Sequence, residues 1–309
     1  MADTETDEAR LVEFLGPRWW PNWLGLLVMR LLAFLPLPVI TFIGALFGEF
    51  LYLVHAERRH ITRTNLQRCF PELSSAELRK LARAHFRSVA ASFLTVPIVW
   101  WGSAARLERL VRRRGEEHLK TALATKRPVI LLSAHFNAIE VGGVSLSRDY
   151  PVLDMYKRPK NRLFHYLLRR RRRRFGGYLV ERQEGIKPVI RAIRKGVLFL
   201  YLTDQDQGRE GSVFAPFFGI QTSTVTGLSR VAAITDALVV PCFMRVLPWG
   251  QGYEVIFQPA LENFPTTDEL ADTTRMNRII EEAVREMPEQ YFWVHKRFKT
   301  RPEGEAPFY

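Results

Sequence analysis

Apolar positions are concentrated at the amino end of the chain. From Leu24 to Val54 the only charged residues are Arg30 and Glu49. Leu31 to Gly48 is an uncharged run of 18 residues, the lower limit for a helix that spans a bilayer. Pro36 and Pro38 interrupt it, and proline both removes a helical hydrogen bond and biases the residue before it out of helix. The pattern predicts two helices, roughly 23–35 and 39–55, each about 20–25 Å long at 1.5 Å per residue. Trp19, Trp20 and Trp23 precede the stretch, as residues of a headgroup-level belt do, and Arg58, Arg59, Arg63 and Arg68 follow it. Positive-inside logic puts that side in the cytoplasm. A buried helical hairpin would also be apolar, but the tryptophans and arginines at its ends favour a membrane anchor, either spanning or bent within one leaflet. The first residues, MADTETDEA, are acidic, unlike the basic start of a secretory signal.

Beyond the anchor the period changes. Ser74-x-x-Glu77 has capping-box spacing ahead of a helix that ends near Pro97. Pro128–Ser133, Val152–Tyr156 and Val197–Thr203 read as strands, the first and third as fully buried ones. Ala237–Val246, broken by Pro241, and Tyr253–Phe257 are further strands. Helical stretches fall between them, at His135–Leu146, Asn161–Phe175, Val189–Arg194, Leu228–Thr235 and Thr266–Met287. Strands alternating with helices predict an α/β fold, a mixed sheet flanked by helices. The chain divides into an acidic tail (1–18), a hydrophobic anchor (19–56) and one catalytic domain (57–309).

Composition narrows the partners. The chain has 309 residues, with 45 Lys and Arg against 32 Asp and Glu, a formal charge of +13. That excess calls for an anionic partner. An apolar fraction of 47% excludes a disordered chain, and two cysteines exclude a disulfide framework. The run Arg169–Arg174 reads as a solvated helix face or as a docking surface for an acidic protein or anionic headgroups. No zinc-finger, helix-turn-helix or RNA-binding signature accompanies it, so nucleic acid is not expected. No Gly-rich nucleotide loop is present, so no cofactor is expected.

Candidate chemistry sits at the strand ends, where open α/β sheets hold ligands. His135 follows Pro128–Ser133, and Glu140 lies five residues on. On one regular helix the two would be about 140° apart. With His135 in the loop and Glu140 in the first helical turns, the carboxylate can accept one imidazole N–H and leave the other nitrogen to take a proton. Asp204, Asp206 and Gly208 follow Val197–Thr203. The two aspartates lack a full ligand set, and no metal is expected.

Several segments, in order, resemble the late acyltransferases of lipid A biosynthesis, within the lysophospholipid acyltransferase superfamily. They are RTNLQRCFPELSSAE (63–77), HFNAIEVGG (135–143, the family's H-x4-D/E motif), YKRPKN (156–161), TDQDQG (203–208) with VFAPFFG (213–219), and EQYFWVHKRFKTRPEGE (289–305). The resemblance implies a glycerolipid-acyltransferase-like fold. It also implies transfer of a fatty acyl chain from acyl carrier protein to the 3-hydroxyl of an acyl chain on a lipid A precursor. His135 would be the general base and Glu140 its partner. Arg158 and Arg182 would hold a lipid A phosphate, and Asp204, Asp206 and Gly208 would lie where relatives hold the acceptor. Apart from the resemblance, HKRFKTR (295–301) is a second basic cluster, read either as a membrane-interface contact with Trp293 and Phe298 beside it or simply as a basic tail. The enzyme would sit on the cytoplasmic face of a bacterial inner membrane, among anionic lipids, with an apolar groove near His135 opening towards the anchor. An acyl-CoA-dependent glycolipid acyltransferase, of the phosphatidylinositol mannoside type, fits the same motif. A non-catalytic basic protein bound to membranes or nucleic acid fits the charge alone.

Overall fold

The computed structural model describes residues 11–309. Residues 1–10 of the acidic tail lie outside them. The rest of that tail is not a free extension. Two 3-10 turns, Leu11–Phe14 and Pro17–Trp19, bring Phe14 into the core against Trp19 and Tyr166.

The apolar stretch folds as two helices, α1 (Trp20–Leu32) and α2 (Leu37–Val54), with Pro36 at the α2 N-cap in an extended conformation. The proline break falls where expected, and both helices start up to a turn earlier. Next come α3 (Ala56–Cys69) and α4 (Ser75–Trp101). The Ser74/Glu77 capping box is formed. However, α4 runs through Pro97 instead of stopping there. Burial of Ile98, Val99 and Trp100 offsets the lost hydrogen bond, and Arg174 donates to the terminal carbonyls of Val99 and Gly102 at 2.9 and 2.7 Å.

Leu37, Ile40, Gly44, Gly48 and Tyr52 form the buried stripe of α2. Their spacing of three and four lays one face along α4. A Cβ at Gly44 would lie 2.4 Å from Ala91 Cα, and one at Gly48 2.4 Å from the Phe86 carbonyl oxygen. The two backbones therefore touch, as in small-xxx-small helix pairs. Gly48→Leu should destabilise the protein by about 1–3 kcal/mol. An unchanged melting temperature would show that α2 does not depend on this contact. The opposite face of α2, including Phe42, Leu46, Phe50 and Leu53, is exposed. Among the described residues α2 is the one helix long and apolar enough to cross a membrane.

The remaining elements are α5 (Ala104–Leu110), β1 (Val111–Arg114), α6 (Glu116–Ala124), β2 (Val129–Ser133), α7 (Ile139–Leu146), β3 (Val152–Tyr156), α8 (Arg162–Arg172), β4 (Tyr178–Glu181), α9 (Lys187–Ile193), β5 (Leu198–Leu202), β6 (Ser212–Phe217), β7 (Ile220–Val225), α10 (Gly227–Thr235), β8 (Leu238–Val246), β9 (Tyr253–Phe257) and α11 (Glu269–Glu286). Seven strands form a sheet in the order β1-β9-β8-β2-β5-β3-β4, and β6 and β7 make a separate hairpin. Only β8 and β9 pair antiparallel within the large sheet, so it is mixed, as expected. β8 is not broken by Pro241. Its pairing with β2 ends at that residue, and its pairing with β9 begins at Cys242. The proline sits at the changeover, where its missing N–H costs no ladder bond.

The C-terminal segment corrects another expectation. Trp293 and Phe298 are fully buried and Arg297 is 2% exposed. Asn65 Nδ2 donates to the Trp293 and His295 carbonyls at 2.7 and 2.9 Å, and Arg297 donates to the Ser223 carbonyl and the Thr224 hydroxyl. The basic tail is a strap woven into the core, not a membrane surface.

Candidate active site

Parallel pairing of β2 with β5 aligns Ser133 with Leu202. His135 and Asp204 each lie two residues beyond that pair, so equal offsets bring them side by side at the carboxyl edge of the sheet. The His135 backbone N–H donates to Asp204 Oδ2 at 3.0 Å, and its ring Nδ1 lies 2.7 Å from Asp204 Oδ1. A carboxylate only accepts, so Nδ1 carries the proton and Nε2 is left with a lone pair. The Asp204 side chain is 3% exposed, that of His135 32%. Burial disfavours both charged forms, but their mutual attraction outweighs it. The His135 pKa is raised above the ordinary imidazole value and that of Asp204 is lowered. His295 stands close by, and burial pushes it down to about 4, so it stays neutral.

Glu140 is in the first turn of α7, as expected, but it does not meet the imidazole. Arg172 holds it, donating through Nε to Oε1 at 3.0 Å and through Nη2 to Oε2. The same guanidinium donates to Asp154 Oδ2 at 2.8 Å. The ring's partner is thus Asp204 and not Glu140, because the strand register delivers a carboxylate to Nδ1 while α7 turns Glu140 towards α8.

The arginine run divides along the turns of α8. Arg172 points inward, Arg174 caps α4, Arg169 lies 4.0 Å from Glu181 and Arg171 stacks on Trp101. No single docking face contains all six. Phe164, Leu168 and Arg172, spaced by four, mark one stripe, and that periodicity was the signal for an inward arginine. Arg172, Asp154 and Lys157 were missed as site residues.

Two cavities meet at His135. One, of about 340 Å³, has a mixed lining, with Asp154, Lys157, Arg172, Arg182 and Gln205 beside apolar side chains such as Phe199 and Leu200. The other, of about 510 Å³, is apolar, walled by Met29 and Leu32 of α1, Phe93 and Trp100 of α4, and Leu168 of α8. This is the groove expected beside the anchor. His135, Ile139, Glu140 and Arg172 line both.

Of the other expected contacts, Arg182 lines the cavity of mixed lining and donates to Gln207. Arg158 is exposed and lines neither cavity. Asp206 lines neither. Its carboxylate accepts from the Thr300 N–H at 2.7 Å, the Thr300 hydroxyl at 2.8 Å and the Gly208 N–H at 2.9 Å. Gly208 has φ 100°, a turn conformation that favours glycine. Asp206 and Gly208 therefore fasten the C-terminal strap to the β5 loop and line neither cavity.

The chain is similar to known proteins over nearly all its length. The family model described as bacterial lipid A biosynthesis acyltransferase matches residues 8–300. The lipid A biosynthesis lauroyltransferase of Escherichia coli (strain K12) is 35% identical over 94% of this chain and 95% of its own length. The palmitoleoyltransferase of the same organism is 34% identical over 96% and 97%, and the myristoyltransferase 31% over 96% and 92%. Among solved structures, the 1-acyl-sn-glycerophosphate acyltransferase PlsC of Thermotoga maritima aligns with a TM-score of 0.37 and 14% identity, over 81% of this chain and 97% of that one. With the family's model and its relatives matched over nearly the whole chain, and its mixed sheet carrying a His–Asp pair between a cavity of mixed lining and an apolar one, the chain belongs to the bacterial lipid A biosynthesis acyltransferases.

Proposed function

We propose that this protein moves a fatty acyl chain from acyl carrier protein to the 3-hydroxyl of an acyl chain on a lipid A precursor, at the cytoplasmic face of a bacterial inner membrane. The observation that carries the reading is the meeting of the two cavities at His135. The apolar one suits an acyl chain, and the charged and polar side chains of the other suit a phosphorylated sugar, so the reacting carbon and oxygen belong where they join.

His135 Nε2 takes the proton of the acceptor hydroxyl as its oxygen attacks the thioester carbonyl carbon. Asp204 holds the ring and stabilises the imidazolium that forms. The carbonyl oxygen gains negative charge, and Arg172, the cation common to both cavities, is the donor suited to it. Glu140 and Asp154 fix that guanidinium in place. The C–S bond then breaks, the imidazolium returns the proton to the thiolate, and an ester remains. The exposed faces of α1 and α2 rest in the bilayer among anionic lipids, which brings the apolar cavity to its lipid substrate.

Lys157 and Arg182 are the cations placed for an acceptor phosphate. The test is transfer to a tetra-acylated precursor from a panel of acyl carrier protein donors, with acyl-CoA alongside. Penta-acylated product from the carrier protein supports the reading. Product from acyl-CoA alone replaces the donor, and none from any donor overturns the reaction. In the same assay Arg182→Ala should raise KM for the phosphorylated acceptor about tenfold, the worth of one charge-assisted hydrogen bond, with kcat nearly unchanged. An unaltered acceptor KM would remove Arg182 from the phosphate site.

A further inference from the structure

The loop joining β8 to β9 presents a tryptophan to solvent in a conformation that tryptophan rarely adopts. Trp249 is 86% exposed, with φ 57° and ψ 24°. In that left-handed region a bulky residue is an outlier that persists only where its surroundings hold it. Here they do. The Leu247 N–H donates to the Gly252 carbonyl at 2.9 Å, and the Gln251 N–H to the Pro248 carbonyl at 3.1 Å. Gly250 sits directly on the start of α2, where a Cβ would fall 2.6 Å from Pro38 Cα. Arg106 of α5 donates to the carbonyls of Ala33 and Leu35 and so also pins the α1–α2 elbow. The side chain is thus held outward by a closed loop fixed to the anchor.

The surroundings specify the partner. Phe34 at the elbow is 72% exposed, and Val39 in the first turn of α2 is exposed as well. Trp249 therefore extends the apolar face of α1 and α2 onto the catalytic domain. β8 runs parallel to β2, so the loop leaves the sheet at the edge that holds His135. An indole combines an apolar body with one N–H donor, the balance suited to the headgroup level of a bilayer. We propose that Trp249 is a second membrane contact, inserted at headgroup depth beside the α1–α2 elbow, and that with the anchor it sets the tilt of the catalytic domain on the lipid surface. This rests on the membrane reading of α1 and α2.

The test uses the full chain carrying Trp249→Cys, labelled with an environment-sensitive fluorophore. Cys69 and Cys242 are buried and leave the new thiol as the reactive one. The protein is bound to phosphatidylethanolamine–phosphatidylglycerol vesicles, with the exposed Glu117→Cys as a control. A blue-shifted emission at position 249, quenched by lipids bearing a shallow nitroxide and unshifted at 117, is the expected result. Vesicle binding with a water-like emission at 249 overturns the proposal and leaves the anchor intact. Failure to bind vesicles at all overturns both it and the anchor reading. Unlabelled Trp249→Ala should bind vesicles about tenfold more weakly, the effect of withdrawing one large apolar side chain. It should also retain full turnover of acceptor dispersed in detergent. Undiminished vesicle binding would likewise overturn the proposal.

Discussion

Asp204→Asn should lower kcat about 100- to 10,000-fold, the range of a positioned general base. An asparagine in place of the carboxylate no longer stabilises the imidazolium, and its amide can turn an N–H towards Nδ1 and favour the wrong tautomer. His135→Ala should cost at least as much. The double variant should be no slower than His135→Ala, because residues that act as a unit are not additive. The pH profile separates a catalytic role from a structural one. His135 must be neutral to accept a proton, and its pKa is raised, because Asp204 more than offsets the effect of burial. The acid limb of kcat/KM therefore lies above the ordinary imidazole value of about 6.5, with activity rising as pH rises through it. Removing the Asp204 charge moves that limb to lower pH. Glu140→Gln leaves it in place, since Glu140 does not touch the ring. If Glu140→Gln shifts the limb and Asp204→Asn does not, the assignment of partners is reversed.

Arg172→Met should have the second largest effect, about 100- to 1,000-fold in kcat, as for loss of a preorganised donor to an oxyanion. It should also destabilise the fold by about 3–5 kcal/mol, because two carboxylates lose the cation between them. Burial already raises the Asp154 pKa, with Arg172 opposing the rise and Glu140 adding to it. Without Arg172 the folded protein favours a protonated carboxyl at this site more strongly than the unfolded chain does. The stability deficit should therefore be larger at pH 8 than at pH 5, which denaturant unfolding at the two pH values measures. Arg172→Lys should recover part of the stability and little of the rate, since an ammonium does not reproduce a fork that reaches Glu140 and Asp154 together. Full activity in Arg172→Met would remove the guanidinium from the mechanism.

Local rules settled a good part of the architecture. The Ser74/Glu77 cap, the proline break between α1 and α2, the buried strands β2 and β5 and the α/β alternation each depend on a few neighbouring residues. Elements held by partners instead of by their own pattern were missed. Val111–Arg114 is three-quarters arginine and becomes a strand only by lying against β9. The β6–β7 hairpin has no alternation that stands out from a loop. Pro97 and Pro241 read as breaks because what tolerates them, a buried helix end and a changeover of strand partners, is tertiary.

The site divides the same way. The sequence alone determined that His135 follows a buried strand, that Asp204 follows another, and that a carboxylate opens α7, because strand and helix ends are set by local pattern. Which carboxylate meets the imidazole was decided by the parallel register of β2 and β5, a pairing between segments some seventy residues apart that no local spacing encodes. Tertiary packing likewise chose one arginine of six for the site, and buried Trp293, Phe298 and Arg297, which composition alone had put on the surface. Long-range contacts assign a side chain its partner, and charge and hydropathy state only what kind of partner it needs.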